Sequence, residues 1–154
     1  MKGLILAGGN GTRLYPLTQF INKHLLPISA KPMIYYPLST MLASGITQIG
    51  LICRPQDIQQ YSLIQQHLKA CGAEIELIPQ KDPDGIAGAI LAAEYFIKDD
   101  DIFLMLGDNI LFAIRELRHA IEHFQSGAHF FTTYVSEPER FGVGQIDKSG
   151  RLIK

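Results

Sequence analysis

Two kinds of stretch alternate along the chain from its first residue. Lys2–Ala7 reads KGLILA, a short continuous apolar run that ends in glycines, and such a run predicts a strand buried on both faces. Ile46–Cys53 (ITQIGLIC), Glu74–Pro79 (EIELIP), Asp101–Leu106 (DIFLML) and His129–Val135 (HFFTTYV) predict four more strands. Between them the apolar positions follow a helical period. Met33–Ser44 comes after Pro32, whose fixed φ suits a first turn, and stops at Gly45; Pro37 inside it predicts a kink. Gln56–Ala70 is bounded by Pro55 and Gly72, and Ile86–Ile97 begins just after Asp84, the expected N-cap. From about Leu111 to Gln125, the residues Ala113, Ile114, Leu117, Ala120, Ile121 and Phe124 make one apolar stripe, with Arg115, Glu116, Arg118 and Glu122 outside it. Strand and helix alternating over short connections predict an α/β layered fold with a largely parallel sheet. Val143–Ile146 and Leu152–Lys154 flank the turn cluster Asp147-Lys148-Ser149-Gly150 and predict a hairpin whose second strand is cut. A cut sheet leaves unpaired backbone groups and exposed apolar faces, from which self-association is expected.

Composition bounds this picture. With 154 residues, 47% hydrophobic and 19% charged, the chain holds enough apolar side chains for one core, and disordered or low-complexity classes are excluded. No apolar run approaches the roughly 18 residues of a membrane span, and the four apolar residues after Met1-Lys2-Gly3 are too few for a signal peptide, so a soluble cytoplasmic chain is expected, with no membrane partner. Cys53 and Cys71 lie outside any CxxC and have no neighbouring His; they read as buried or incidental thiols. His67, His119, His123 and His129 lack a Glu or Cys set that would complete a metal site and read as surface or packing residues.

Charge is distributed unevenly. From Met1 to Gln56 there are five basic residues (Lys2, Arg13, Lys23, Lys31, Arg54) and no acid, whereas from Asp57 onward nine basic residues stand against fifteen acidic ones, a net of −6. An acid-free, glycine-containing first third suits an anionic ligand, although composition alone leaves scattered surface charge equally open. Nucleic acid is not expected, because spaced charges without an Arg/Lys cluster or interleaved aromatics make no phosphate track. Gly8-Gly9-Asn10-Gly11-Thr12-Arg13 directly follows the first predicted strand, where a glycine-rich turn brings backbone N–H groups close to phosphates. The turn lacks the Lys-Ser/Thr of a P-loop and the third glycine of a dinucleotide fingerprint, and Cys53-Arg54-Pro55 stands where the latter needs an acid. A plain tight connection stays open at this point; Arg13 favours phosphate through its bidentate guanidinium.

Longer stretches are more specific. Leu6–Thr18 (LAGGNGTRLYPLT), Asn22–Pro27 (NKHLLP), Lys31–Ser39 (KPMIYYPLS), Pro83–Ala87 (PDGIA), Leu106–Asn109 (LGDN) and Pro138–Val143 (PERFGV) together resemble the sugar-1-phosphate nucleotidyltransferases, and within that family the thymidylyltransferase branch. The resemblance covers essentially the whole chain and implies a three-layer, Rossmann-like nucleotide-binding fold, incomplete at its C-terminal end. It implies that residues 1–154 are the nucleotide-binding, N-terminal portion of a longer catalytic domain, since family members run to nearly twice this length. Their second half supplies a second metal aspartate, a Glu-Lys-Pro segment for the sugar phosphate and helices of oligomer contacts.

The reaction so implied is attack by a sugar-1-phosphate oxygen on the α-phosphorus of a nucleoside triphosphate, with pyrophosphate leaving; dTTP or UTP is the nucleotide, and dTTP with glucose-1-phosphate is the pair expected. By the resemblance, Arg13 holds the leaving phosphates and Lys23 lies near the α-phosphate, these being the catalytic residues. Leu6, Gly8, Gly9, Gly11, Thr12, Gln80 and Gly85 complete the nucleotide site, the last two reading the base. Asn109, Phe141 and Gly142 take the sugar. Asp108 binds Mg²⁺ as one of two carboxylates; read without the resemblance, it fits a turn or capping role equally well. Three departures from the family pattern stand out: His24 where glutamine usually follows the lysine, Gly88 where glutamine is common, and Phe141 where tyrosine often precedes the glycine. Because half of the site is missing, a nucleotide-binding module without turnover is the alternative.

Overall fold

A computed structural model describes residues 1–82 and 84–153, and these fall into two compact units, Met1–His123 and the residues from Phe124 onward. Pro83 of the expected PDGIA motif and Lys154 of the expected hairpin lie outside the described residues.

Four of the five predicted strands form the first unit's sheet: β1 (Lys2–Leu6), β4 (Gln48–Cys53), β5 (Glu74–Pro79) and β6 (Ile102–Leu106), all parallel, in the order β5-β4-β1-β6. A small antiparallel pair, β2 (Pro27–Ile28) and β3 (Lys31–Pro32), precedes the first helix. Central strands that are apolar throughout need cover on both faces. On one face, Ile5, Ile49, Leu51 and Met105 pack with Leu38 and Met41 of α1 (Tyr35–Ala43), Tyr61 and Ile64 of α2 (Ile58–Lys69) and Leu117 of α5 (Ile114–Glu122). On the other, Leu4, Ile52 and Ile78 pack with Ala89 of α3 (Gly85–Ala92), Ala93, and Phe96 and Ile97 of α4 (Glu94–Ile97). The result is the three-layer α/β fold, with the parallel sheet expected.

Several boundaries differ from the sequence pattern. Pro37 falls in the first turn of α1, where its missing N–H is not called on, so the reason for a kink disappears. The stretch Ile86–Ile97 breaks at Ala93 into two helices, and Asp84 makes no side-chain cap. α5 is shorter than its stripe, and of the stripe's ends Ala113 is exposed. No helix among the described residues is long and apolar enough to cross a membrane.

Among its described residues the second unit has one 3-10 turn (Pro138–Arg140) and one antiparallel bridge, Ile146 with Leu152. The bridge is closed by Asp147, whose Oδ1 accepts from the Ser149 and Arg151 backbone N–H groups at 2.8 and 3.0 Å. No strand forms over His129–Val135, against expectation: a short apolar run becomes a strand only when a ladder pairs it, and Phe130, Tyr134 and Val135 are exposed.

Candidate functional site

In the order β5-β4-β1-β6 the chain winds outward from β1 through β4 to β5 and then returns to β1's other side for β6. The switch point therefore lies between the carboxyl ends of β1 and β6, where open parallel sheets bind ligands. The glycine loop leaves β1 here and Gly107-Asp108-Asn109 leaves β6. They are joined at the base, since Gly107 N–H donates to Leu6 O at 2.9 Å. A Cβ on Gly107 would stand 2.9 Å from that oxygen and 2.8 Å from the His24 ring, so the approach requires glycine. Gly11 adopts the left-handed region at φ 63° and leads into a 3-10 turn at Thr12–Leu14; a side chain there would also strike Lys23 and Thr18.

Lys23 runs along this loop. Its Cε lies 3.6 Å from where a Cβ on Gly9 would be, and its Nζ donates to Asp108 Oδ2 at 2.6 Å. Three of the predicted features, the glycine loop, Lys23 and Asp108, thus meet at one point although 85 residues separate the last two. Burial pushes the Asp108 carboxyl up, but the hydrogen bond and charge of Lys23 outweigh it and hold the group below the ordinary carboxylate value.

Beneath the loop is a buried polar junction that the sequence reading missed. The Asn22 amide is fully used: Nδ2 donates to Ala7 O at 3.0 Å and to Asp57 Oδ2 at 2.6 Å, while Oδ1 accepts from the His24 backbone N–H at 3.0 Å and faces His24 Nδ1 at 2.8 Å. Asp57, itself 3% exposed, takes Arg54 in bidentate fashion at 2.7 and 2.9 Å. Arg54 also reaches Asn10 of the loop at 3.4 Å. Burial, and then the charge of Lys23, push the His24 pKa down from 6.5 to about 4, so the ring is neutral. The one legible signal was Asp57, the first acid after the acid-free stretch.

The acid-free stretch is not left with all of its positive charge in the fold. Three of its five cations are neutralised by later acids: Lys2 by Asp100 at 2.8 Å, Lys23 by Asp108 and Arg54 by Asp57. Lys31 lies over the Tyr36 ring at 4.3 Å, and Arg13 is exposed beside the loop. Gln80 follows β5; its Oε1 is 3.3 Å from a Cβ placed on Gly8, and its buried Nε2, 3.4 Å from one placed on Gly88, has no hydrogen-bond partner among the described residues. Gly85 opens α3 at φ 73° with open space around it. Thr12 and Asn109 are exposed at the same carboxyl end, whereas Phe141 and Gly142 belong to the second unit, where both are exposed. Cys53 is buried, which pushes its thiol up to about 12, and Cys71 is an exposed free thiol. Among the described residues no group of three His, Cys, Asp or Glu side chains is placed to hold a metal.

A parallel three-layer sheet with a glycine loop, a lysine and a carboxylate gathered at its switch point defines a nucleotide-binding fold of the phosphate-handling kind. The chain belongs to the nucleotidyl transferase family, whose profile matches residues 2–154. It is 42% identical over 99% of its length to the glucose-1-phosphate thymidylyltransferase of Neisseria meningitidis and 41% identical over 99% to that of Mycobacterium tuberculosis, covering 54% of each. It superposes with a TM-score of 0.91 at 35% identity on a Bacillus anthracis crystal structure assigned as a glucose-1-phosphate thymidylyltransferase in complex with sucrose, covering 100% of this chain and 63% of that one. A UDP-glucose pyrophosphorylase complexed with UDP-glucose shares the fold at a TM-score of 0.65 and 23% identity. The chain spans about half the length of the curated relatives it matches.

Proposed function

We propose that this chain binds a nucleoside triphosphate, dTTP in preference, at the β1–β6 switch point, and serves its joining to glucose-1-phosphate with release of pyrophosphate. The observation that carries the reading is the Lys23–Asp108 contact at 2.6 Å along the glycine loop, because it sets a cation and an anion side by side at the carboxyl ends of β1 and β6. The chemistry needs positioning and charge neutralisation and no covalent group from the protein. Arg13, exposed beside the loop, is suited to the leaving phosphates; Lys23 is suited to the α-phosphate and the incoming sugar phosphate. Leu6, Gly8, Gly9, Gly11 and Thr12 offer backbone to the nucleotide. The Gln80 amide and the open backbone at Gly85 suit the imide edge of thymine, to which the unpartnered Nε2 supplies a donor. Asn109 is assigned to the sugar.

Magnesium fits this donor set as an ion that arrives with the triphosphate: it takes one or two carboxylates and completes its shell with phosphate oxygens and water, and Asp108 supplies one such carboxylate. When bound it neutralises charge on the phosphates. Titration with dTTP and Mg²⁺ tests the reading: Arg13→Ala and Asp108→Ala should each weaken binding about tenfold or more. No binding by the unaltered chain, or binding unchanged in both variants, overturns it. A second reading, nucleotide binding without turnover, rests on the chain spanning about half the length of the curated relatives it matches. Pyrophosphate release in the presence of glucose-1-phosphate decides between them.

A further inference from the structure

We infer that Asp57 is a positioning residue for the triphosphate site, holding Lys23 and the glycine loop in place through Asn22 and Arg54. The assignment rests on the reading above only for what the site binds. Both Asp57 oxygens are engaged, Oδ1 by Arg54 and Oδ2 by Arg54 and Asn22. Removing the acceptor would leave buried donors unsatisfied, which is costlier than never having had them.

The junction ties three strand ends. Asn22 Nδ2 bonds Ala7 O at the end of β1; Asp57 lies in the 3-10 turn that follows β4; and Lys23, next in sequence to Asn22, reaches Asp108 beyond β6. Asn22 is also the cap of the Lys23–Leu25 turn, accepting from His24 N–H, so the orientation of its amide sets where the Lys23 stem begins. Asp57 fixes that orientation. An amide whose Nδ2 faces two acceptors must present Oδ1 to His24, and His24 Nδ1 must then carry the ring proton. From the other side Arg54 extends the clamp to the loop, touching Asn10. A carboxylate outside the site thus fixes the loop, the lysine and the histidine tautomer together.

The test is Asp57→Asn, which keeps the shape and removes the charge. Nitrogen-15 spectra of the histidine rings should show the Nδ1–H form of His24 in the unaltered chain and its loss or mixing in the variant, with faster amide exchange at Gly8–Gly11. In the same samples dTTP affinity should fall about tenfold, as expected for displaced binding groups. Ser44→Ala, at a buried hydroxyl without a hydrogen-bond partner among the described residues, should move none of these readouts. A folded Asp57→Asn chain with unchanged tautomer and loop exchange overturns the inference whether or not dTTP binds; failure of the unaltered chain to bind dTTP with these changes present overturns the function instead. Should Asp57→Asn not fold, Arg54→Gln makes a milder break from the partly exposed side, and unchanged loop exchange and tautomer there overturn the inference as well.

Discussion

Two lysine–aspartate pairs sit at opposite ends of the same pair of strands. Lys2 begins β1 and meets Asp100, just before β6, at 2.8 Å; Lys23 meets Asp108, just after β6, at 2.6 Å. By distance they are interchangeable. By surroundings they are not: the Lys2 ammonium also donates to Phe96 O at 2.7 Å and lies 5.2 Å from the Phe96 ring centre, so its bonds are spent on the end of α4. Lys23 has glycines along its stem, exposed Arg13 on the same loop and, among the described residues, the Asp108 carboxylate as the one hydrogen-bond partner of its ammonium. An ion pair is structural when its donors are spent on the fold and available when they stand partly exposed at the carboxyl end of a parallel sheet.

The strongest break of this comparison is to remove each ammonium in turn. Lys23→Met should weaken dTTP binding about hundredfold, the scale of losing one partner among closely packed charges, while Lys2→Met should leave it unchanged. Isothermal titration in the presence of Mg²⁺ measures both. Equal losses in the two variants would remove the distinction between the pairs.

The next difference is acid sensitivity, because only the Lys23 pair has a buried histidine beside it. His24 is 2% exposed, and its folded pKa of about 4 lies below the ordinary 6.5. A depressed histidine pKa means that the unfolded chain binds the proton more readily. Its stabilisation is therefore complete above about pH 6.5 and is lost as pH falls toward 4, by about 3 kcal/mol across that window. Asp108, also shifted down, adds its own loss only at lower pH, as its carboxyl protonates. Urea midpoints of the unaltered chain should drop between neutral pH and about pH 4.5, and His24→Gln should flatten that slope. The same slope in the variant would assign the acid sensitivity elsewhere.

The sequence made these pairs only partly legible. Continuous apolar runs revealed the parallel strands because residues such as Ile49, Leu51 and Ile52 must be apolar when both faces are covered. Gly8–Arg13 was legible as a candidate from its place after a strand, and Asp108 through the family resemblance. What stayed hidden is long-range: nothing local in Lys2 or Lys23 reveals that one serves a helix end and the other stands beside the glycine loop, since both partners come from the ends of β6. The Asn22–Asp57–Arg54 junction was hidden for the same reason, as an Asn before a Lys reads as an ordinary turn. His129–Val135 misled in the opposite sense: its pattern suits a strand, yet a strand needs a partner that no local pattern supplies.

The smallest expected effect is the one that tests the structural half of the comparison. Lys2 is 14% exposed at its side chain and holds the Phe96 carbonyl at the last turn of α4, just before Lys98 turns to φ 54°. Methionine keeps the length of the stem and its contact with the Phe96 ring but cannot donate, so the carbonyl loses a charge-assisted bond worth roughly 1 kcal/mol. The exposed Asp100 end adds little, because water replaces the ammonium there. Lys2→Met should therefore lower the unfolding midpoint slightly and speed amide exchange at Lys98 and Asp100, whose N–H groups bond the carbonyls of Glu94 and Ile97. Exchange at Gly8–Gly11 should not change, because none of the bonds that anchor the loop passes through Lys2. Loosening of the loop in this variant would mean that the two ends of β1 and β6 are coupled through the sheet, and the two pairs would then have to be treated as one device.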